Sequence, residues 1–206
     1  MQNEATSVQA GFTEMYAGNP PWDIGRPQAP FIEIAGQVKG PVLDAGCGTG
    51  NGSLFFASLG LQVTGLDFVY EAIRRGRAKA MDRGLPVEFL VKDAMTLAEW
   101  DKRFESVIDS GLFHIYSGKA RARYVEGLAH VTNPGGRLFL LSFSDEEAAV
   151  EGVSKEELYE VFAQDWEVES VRMVRGELSP VFTSEFPEKY PDGDPKMWFA
   201  IIRRKG

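Results

Sequence analysis

From about residue 41 onward the apolar positions alternate between two rhythms. Short, nearly continuous apolar or β-branched runs at 42–45, 62–66, 87–91, 106–109 and 137–143 read as strands. Between them, stretches at 53–59, 71–83 and 120–131 repeat apolar residues at helical spacing. The last of these runs into Asn133-Pro134-Gly135-Gly136, a cluster of breakers that predicts a tight turn. A further helix over 155–162 follows Ser154, with Glu157 placed to complete a capping box. Two late strands, at 166–174 and 197–203, close the pattern. Strands alternating with amphipathic helices predict an α/β fold layered around a parallel sheet.

Residues 1–40 follow neither rhythm. A short helix at 8–16 leads into the turn-rich Gly18-Asn19-Pro20-Pro21, then WDIGRPQAP. A second short helix at 29–35 tolerates Pro30 in its first turn. We read 1–40 as a helical cap or lid segment and 41–206 as the domain proper. Residues 176–196, rich in Pro, Gly and Phe, have no period and are a candidate lid or site wall, with Phe182, Phe186, Tyr190 and nearby Trp198 as possible lining.

The most informative stretch is PVLDAGCGTGNGS. A strand ends at Asp44, glycines follow at 46, 48, 50 and 52, and a helix begins just after. Glycines let the backbone turn sharply and approach a ligand, and the helix start offers free N–H groups. In doubly wound sheets this strand end binds nucleotide-type ligands. A dinucleotide loop requires G-x-G-x-x-G/A, but its third position falls on Asn51 or Ser53. A phosphate-cradling G-x-x-x-x-G-K-[ST] loop fails at the same residues. The observed D-x-G-x-G-x-G sets the Asp44 carboxylate beside the glycines. That acid repels pyrophosphate and suits a ligand carrying an ammonium and a sulfonium.

On these residues the chain resembles the class I S-adenosylmethionine (SAM)-dependent methyltransferases, over most of 41–143 and weakly to the end. The resemblance implies a Rossmann-like, doubly wound seven-stranded sheet, mostly parallel with an antiparallel last strand. It implies that Asp44, Gly46, Cys47, Gly48 and Gly50 wrap the amino-acid part of SAM, and that Asp67 takes the ribose hydroxyls. It further implies Phe68 on the adenine face, Asp93 and Ala94 near the adenine amino group, and Asp109 between cofactor and substrate. S-adenosylhomocysteine (SAH) would be the product. Within the family, the Trp22-Asp23 segment is similar to the thiopurine, thiol and halide methyltransferase branch and to related bacterial enzymes that methylate small heterocycles or quinones. There Trp22 would close over the methionine end, where its face suits a sulfonium.

Candidate substrate residues lie around two segments. Arg26 can bind an anionic group or pin its loop to an acid. His114, with an ordinary pKa near 6.5, can take a proton from a thiol or phenol, or can merely pack; Phe113 and Tyr116 flank it. The expected reaction is methyl transfer to an S, O or N nucleophile of a small aromatic or thiol molecule. The alternatives are an enzyme with the same donor and another acceptor (a carboxylate, an amine or a quinone-biosynthesis metabolite), a catalytically silent SAM-binding sensor or partner subunit and, against the glycine spacing, an NAD-linked oxidoreductase.

Composition narrows the setting. Lys and Arg total 22 against 30 Asp and Glu, a net charge of −8, which argues against nucleic acid and anionic membranes. A single cysteine and two histidines exclude an intramolecular disulfide and a Cys/His zinc site, so no metal is expected. No signal-peptide pattern and no membrane-length apolar run is evident, so a cytoplasmic protein is expected; the expected oligomeric state is monomer or homodimer.

Overall fold

The computed structural model describes residues 2–146, 151–185, 190 and 194–206. A seven-stranded sheet runs β1 (Val42–Ala45), β2 (Val63–Asp67), β3 (Val87–Val91), β4 (Phe104–Ser110), β5 (Thr132–Phe143), β6 (Trp166–Arg175) and β7 (Lys196–Arg204). Its spatial order is β3-β2-β1-β4-β5-β7-β6. β1 to β5 are parallel, and β7 inserts antiparallel to both β5 and β6. The fold is thus the expected one. The chain reverses its direction of travel between β1 and β4, and such a switch point opens a crevice at the strand carboxyl ends.

Helices α1 (Gln2–Ala17), α2 (Ala29–Glu33), α3 (Asn51–Ser58), α4 (Tyr70–Arg83), α5 (Gly118–Val131), α6 (Lys155–Val161) and α7 (Pro180–Glu185) surround it. Strict alternation sorts the sheet side chains into two cores. Leu138 and Leu140 of β5 pack with Tyr124 and Leu128 of α5. Phe139 and Leu141 face the other way, toward Phe31 of α2 and Phe56 of α3. Central β1 is buried at every position because helices cover both its faces.

Three local readings change. The 133–136 cluster does not interrupt the sheet: Phe104 pairs with Thr132 and Ser106 with Arg137, so those four residues bulge opposite Glu105. Ser154 caps α6 through the Glu157 N–H at 3.0 Å, but the Glu157 carboxylate does not complete the box; it turns to Arg121. Charge attraction wins over the backbone contact. Finally, the aperiodic 176–196 segment contains α7, too short to carry a helical period.

α6 is held by Phe162 just beyond its end, fully buried between Phe113 at 5.6 Å and Trp166 at 5.9 Å between ring centroids. Truncating such a ring leaves a cavity, so Phe162→Ala is expected to cost about 3–5 kcal/mol. Urea unfolding would show it as a lower midpoint at unchanged slope. An unshifted midpoint would mean that this ring does not anchor α6.

Candidate functional site

A cleft opens at the carboxyl ends of β2, β1, β4 and β5 and the amino end of antiparallel β7. At its centre the chain leaves β1 through the glycine loop. Gly48 sits at φ +55°, and a Cβ there would stand 2.6 Å from the Tyr16 hydroxyl. Gly50, at φ +81°, caps α3. The loop therefore takes a left-handed path that a side chain would obstruct.

Two carboxylates stand beside it. Asp44 is buried at the β1 end and accepts the Ser53 hydroxyl at 2.6 Å. Asp67, buried at the β2 end, accepts the Gly48 N–H at 3.0 Å and the Val69 N–H at 2.8 Å. Burial pushes both carboxyls up to about 6, with their hydrogen-bond donors pulling partly back. Among the described residues no basic side chain pairs with either. Cys47, in the same loop, is a half-buried thiol pushed well up by desolvation and by these acids, which keeps it from acting as a nucleophile.

Aromatic rings roof this side. Phe12 meets Phe68 at 5.9 Å and Trp22 at 5.7 Å, each edge to face. The Trp22 indole N–H donates to the Tyr16 hydroxyl at 3.1 Å. Asp23 fastens this segment to the glycine loop, accepting from Thr49 at 2.8 Å and Asn51 at 2.7 Å. Lys79 of α4 donates to the same Thr49 and Asn51 at 2.6 and 3.0 Å. Phe12, Tyr16, Asp23 and Lys79 escaped the sequence reading. Only Asp23 left a trace, as the partner of Trp22 in a Pro-bounded loop.

Past the glycine loop the wall turns apolar, with Phe31, Ile108, Leu141, Phe143 and Met197. His114 lines this part, and its Nδ1 accepts the Phe143 N–H at 3.4 Å. Burial, with the Arg121 charge as a lesser cause, drives the imidazole down to about 4, so it is neutral at pH 7. Because Nδ1 accepts, the neutral ring carries its proton on Nε2. At the rim Arg26 pairs with Glu177, the second of the two fates open to it. Leu178 and Pro195 join the wall, so the edges of the 176–196 segment do line the site. Phe182 and Tyr190 do not line it, and Phe186 lies outside the described residues.

Several expected site residues are placed elsewhere. Asp109 turns beneath the cleft, fully buried, and accepts from Leu112 N–H, Phe113 N–H and the Tyr124 hydroxyl at 2.8, 3.2 and 2.8 Å. Burial raises it to about 7 and these donors lower it, so it anchors the turn below the site. Phe113 is fully buried against Phe162 and under the Arg121 guanidinium, 4.9 Å from the ring centroid. Tyr116 packs on Tyr124 at 5.1 Å, outside the lining. Asp93 is exposed and caps a short 3-10 turn through the Met95 N–H at 2.9 Å; neither it nor buried Ala94 lines the cleft. Trp198 is buried in the core, its indole N–H donating to the Val153 carbonyl at 2.9 Å.

A methyltransferase-domain family matches residues 42–136. The 2-heptyl-1-hydroxyquinolin-4(1H)-one methyltransferase of Mycobacteroides abscessus is 36% identical over 180 residues, spanning 82% of this chain and 78% of that one. A structure solved in work on the conversion of a disulfide bond into a thioacetal group during echinomycin biosynthesis is 35% identical with a TM-score of 0.81, covering 95% and 92% of the two chains. The fold is also that of Burkholderia thailandensis 1,6-didemethyltoxoflavin-N1-methyltransferase, solved with SAH, at a TM-score of 0.74, 19% identity and coverage of 100% and 90%.

Two buried acids without basic partners, beside a backbone cradle, fit a ligand carrying an ammonium group. Because that ligand favours the ionised acids, its affinity should weaken as pH falls through about 6, where Asp44 and Asp67 take up protons. Calorimetric titration of SAH between pH 5 and 8 checks this; affinity that is flat or rises on acidification would refute it. Loop, acids and relatives agree: the chain belongs to the class I SAM-dependent methyltransferases, as a small-molecule methyltransferase with SAM as its cofactor.

Proposed function

We propose that the acceptor is a small, planar, apolar molecule presenting an oxygen, sulfur or nitrogen nucleophile, with hydroxylated nitrogen heterocycles foremost. The observation that carries this reading is the wall formed by Phe31, Ile108, Leu141, Phe143 and Met197, with the neutral His114 as its polar contact. Such walls take flat apolar rings and orient them through few polar groups. Two names support it: the 36% identical relative is named for a hydroxyquinolinone, and the 35% identical structure for chemistry at sulfur. An intact cradle is common to an enzyme and a silent SAM-binding sensor; the methyltransferase names of the relatives favour the enzyme.

In this reading Asp44, Gly46, Cys47, Gly48 and Gly50 hold the amino-acid part of SAM, and Asp67 holds its ribose. Phe68 covers the adenine, and Trp22 closes over the methionine end. Residues 1–40 serve as a cap over the 41–206 domain. We propose a cytoplasmic setting, a free small-molecule substrate, no nucleic acid, and a monomer or homodimer. No helix among the described residues is long and apolar enough to cross a membrane.

Bound SAM supplies a methyl group made electrophilic by its sulfonium. The chain's own residues then have one main task, to position the attacking atom. Fixing it in line is worth up to roughly 7–11 kcal/mol. The apolar wall keeps water from that atom, and His114 offers it, or a neighbouring oxygen, the Nε2–H. This replaces the expectation of a general base at His114: an imidazole held near 4 is a weak base, and its Nδ1 lone pair is already engaged.

A general base contributes about 10²–10⁴-fold. His114→Gln, which keeps an N–H donor, is therefore expected to lose far less than that. The rise of kcat/KM with pH should follow the acceptor's own ionisation, moving when an acceptor of different acidity is used. An inflection that stays fixed across acceptors and disappears in His114→Gln would restore the base.

A further inference from the structure

Among the described residues, the charged side chains lining the cleft are unequal in sign: Asp23, Asp44, Asp67 and Glu177 against Arg26. Arg26 belongs to the N-terminal segment and stands at the rim, with 52% of its side chain exposed. It lies near Pro27, Gln28 and Phe31, on the apolar side of the cleft. An unpaired guanidinium there would be the natural contact for an acceptor carrying a carboxylate.

That guanidinium is already occupied. Its two terminal nitrogens engage both oxygens of Glu177, one at 2.9 Å. Glu177 is not a loose surface partner. Its backbone N–H donates to the Gln28 side-chain oxygen at 2.7 Å, and its carbonyl accepts the Gln28 side-chain N–H at 2.9 Å. The carboxylate also takes the Ala29 N–H at 3.3 Å, and next along the chain the Ser179 N–H reaches the Pro21 carbonyl at 2.7 Å. Gln28 is itself buried. The backbone clasp thus holds the acid opposite Arg26 whether or not the ion pair forms. An exposed ion pair adds little stability, so the pair's effect lies in the charge it cancels.

We propose that Glu177 is a specificity-determining residue: by neutralising Arg26 it makes the acceptor rim uncharged, so that the enzyme selects neutral apolar acceptors over carboxylate-bearing analogues of the same ring. The proposal rests on the acceptor class given above. It deepens that class with a sign: with Arg26 cancelled, the remaining charges that the described residues put on the lining are negative. Replacing Glu177 frees the Arg26 guanidinium and reverses the preference at the rim.

The test is binding of two ligands to the SAH-loaded protein: 2-heptyl-1-hydroxyquinolin-4(1H)-one, and its analogue whose alkyl chain ends in a carboxylate. Wild type should favour the uncharged ligand. Glu177→Gln should shift the ratio of dissociation constants toward the carboxylate roughly tenfold or more, the strength of a hydrogen bond to a charged group, and salt should erode the gain. Arg26→Gln, which leaves Glu177 unpaired, should shift the ratio the opposite way. The double variant should return to the wild-type ratio, and this separates charge from a loosened loop. Binding of both ligands with an unmoved ratio in both single variants overturns the role of Glu177 alone. A shift that persists in the double variant does the same. Failure of every form to bind either ligand, with SAH still bound, overturns it together with the proposed acceptor class.

Discussion

Two buried carboxylates, with no counter-ion among the described residues, govern this molecule. Asp44 and Asp67 end neighbouring strands and accept only hydroxyl or amide hydrogens. A carboxyl moved from 3.8 to about 6 costs about 3 kcal/mol more to ionise in the fold than in water. The Asp67 charge is one of the causes raising Asp44. A chain selected only for stability would exchange these acids for apolar groups or give them a basic partner. Retained as they are, they leave the cleft short of a positive charge, which a cationic ligand supplies.

The rest of the site follows from accommodating such a ligand beside a turn. The loop must pass close to it, hence a left-handed glycine at 48 with the Tyr16 hydroxyl over it. The N-terminal segment must cover it, and Asp23 holds that cover to the loop through Thr49 and Asn51. Further along, Arg26 and Gln28 fasten the same segment to Glu177. One strap of residues 22–28 therefore touches the glycine loop near one end and the apolar rim at the other. The wall that would receive the acceptor and the cradle that would receive the cofactor share a single short stretch of chain.

Those parts differ in how far they could be seen in sequence. Strands buried on both faces announce themselves as apolar runs, and a left-handed loop announces itself as glycines, so β1 and the residues around it were legible. The acids at 44 and 67 were legible for the same reason, since a carboxylate ending an apolar strand is conspicuous. Asp109 has the same local signature and a different fate. Whether its carboxylate faces the cleft or the turn beneath is decided by Tyr124, fifteen residues away on another element. Glu177 was invisible for a stronger version of that reason: its partner Arg26 is 151 residues distant and its backbone lies in an aperiodic segment.

His114 shows the same limit acting on chemistry. Sequence places an imidazole near a strand end, which is where a base would stand, but a base needs a free lone pair and a pKa near the working pH. Both properties are set by neighbours: burial by the sheet and cap lowers the pKa, and the Phe143 N–H takes up Nδ1. A ring placed like a base therefore has its lone pair engaged and its basicity lowered. For methyl transfer this is a coherent exchange. The donor group is activated before it arrives, so a wall that orients the attacking atom and stays dry contributes more than one that removes its proton.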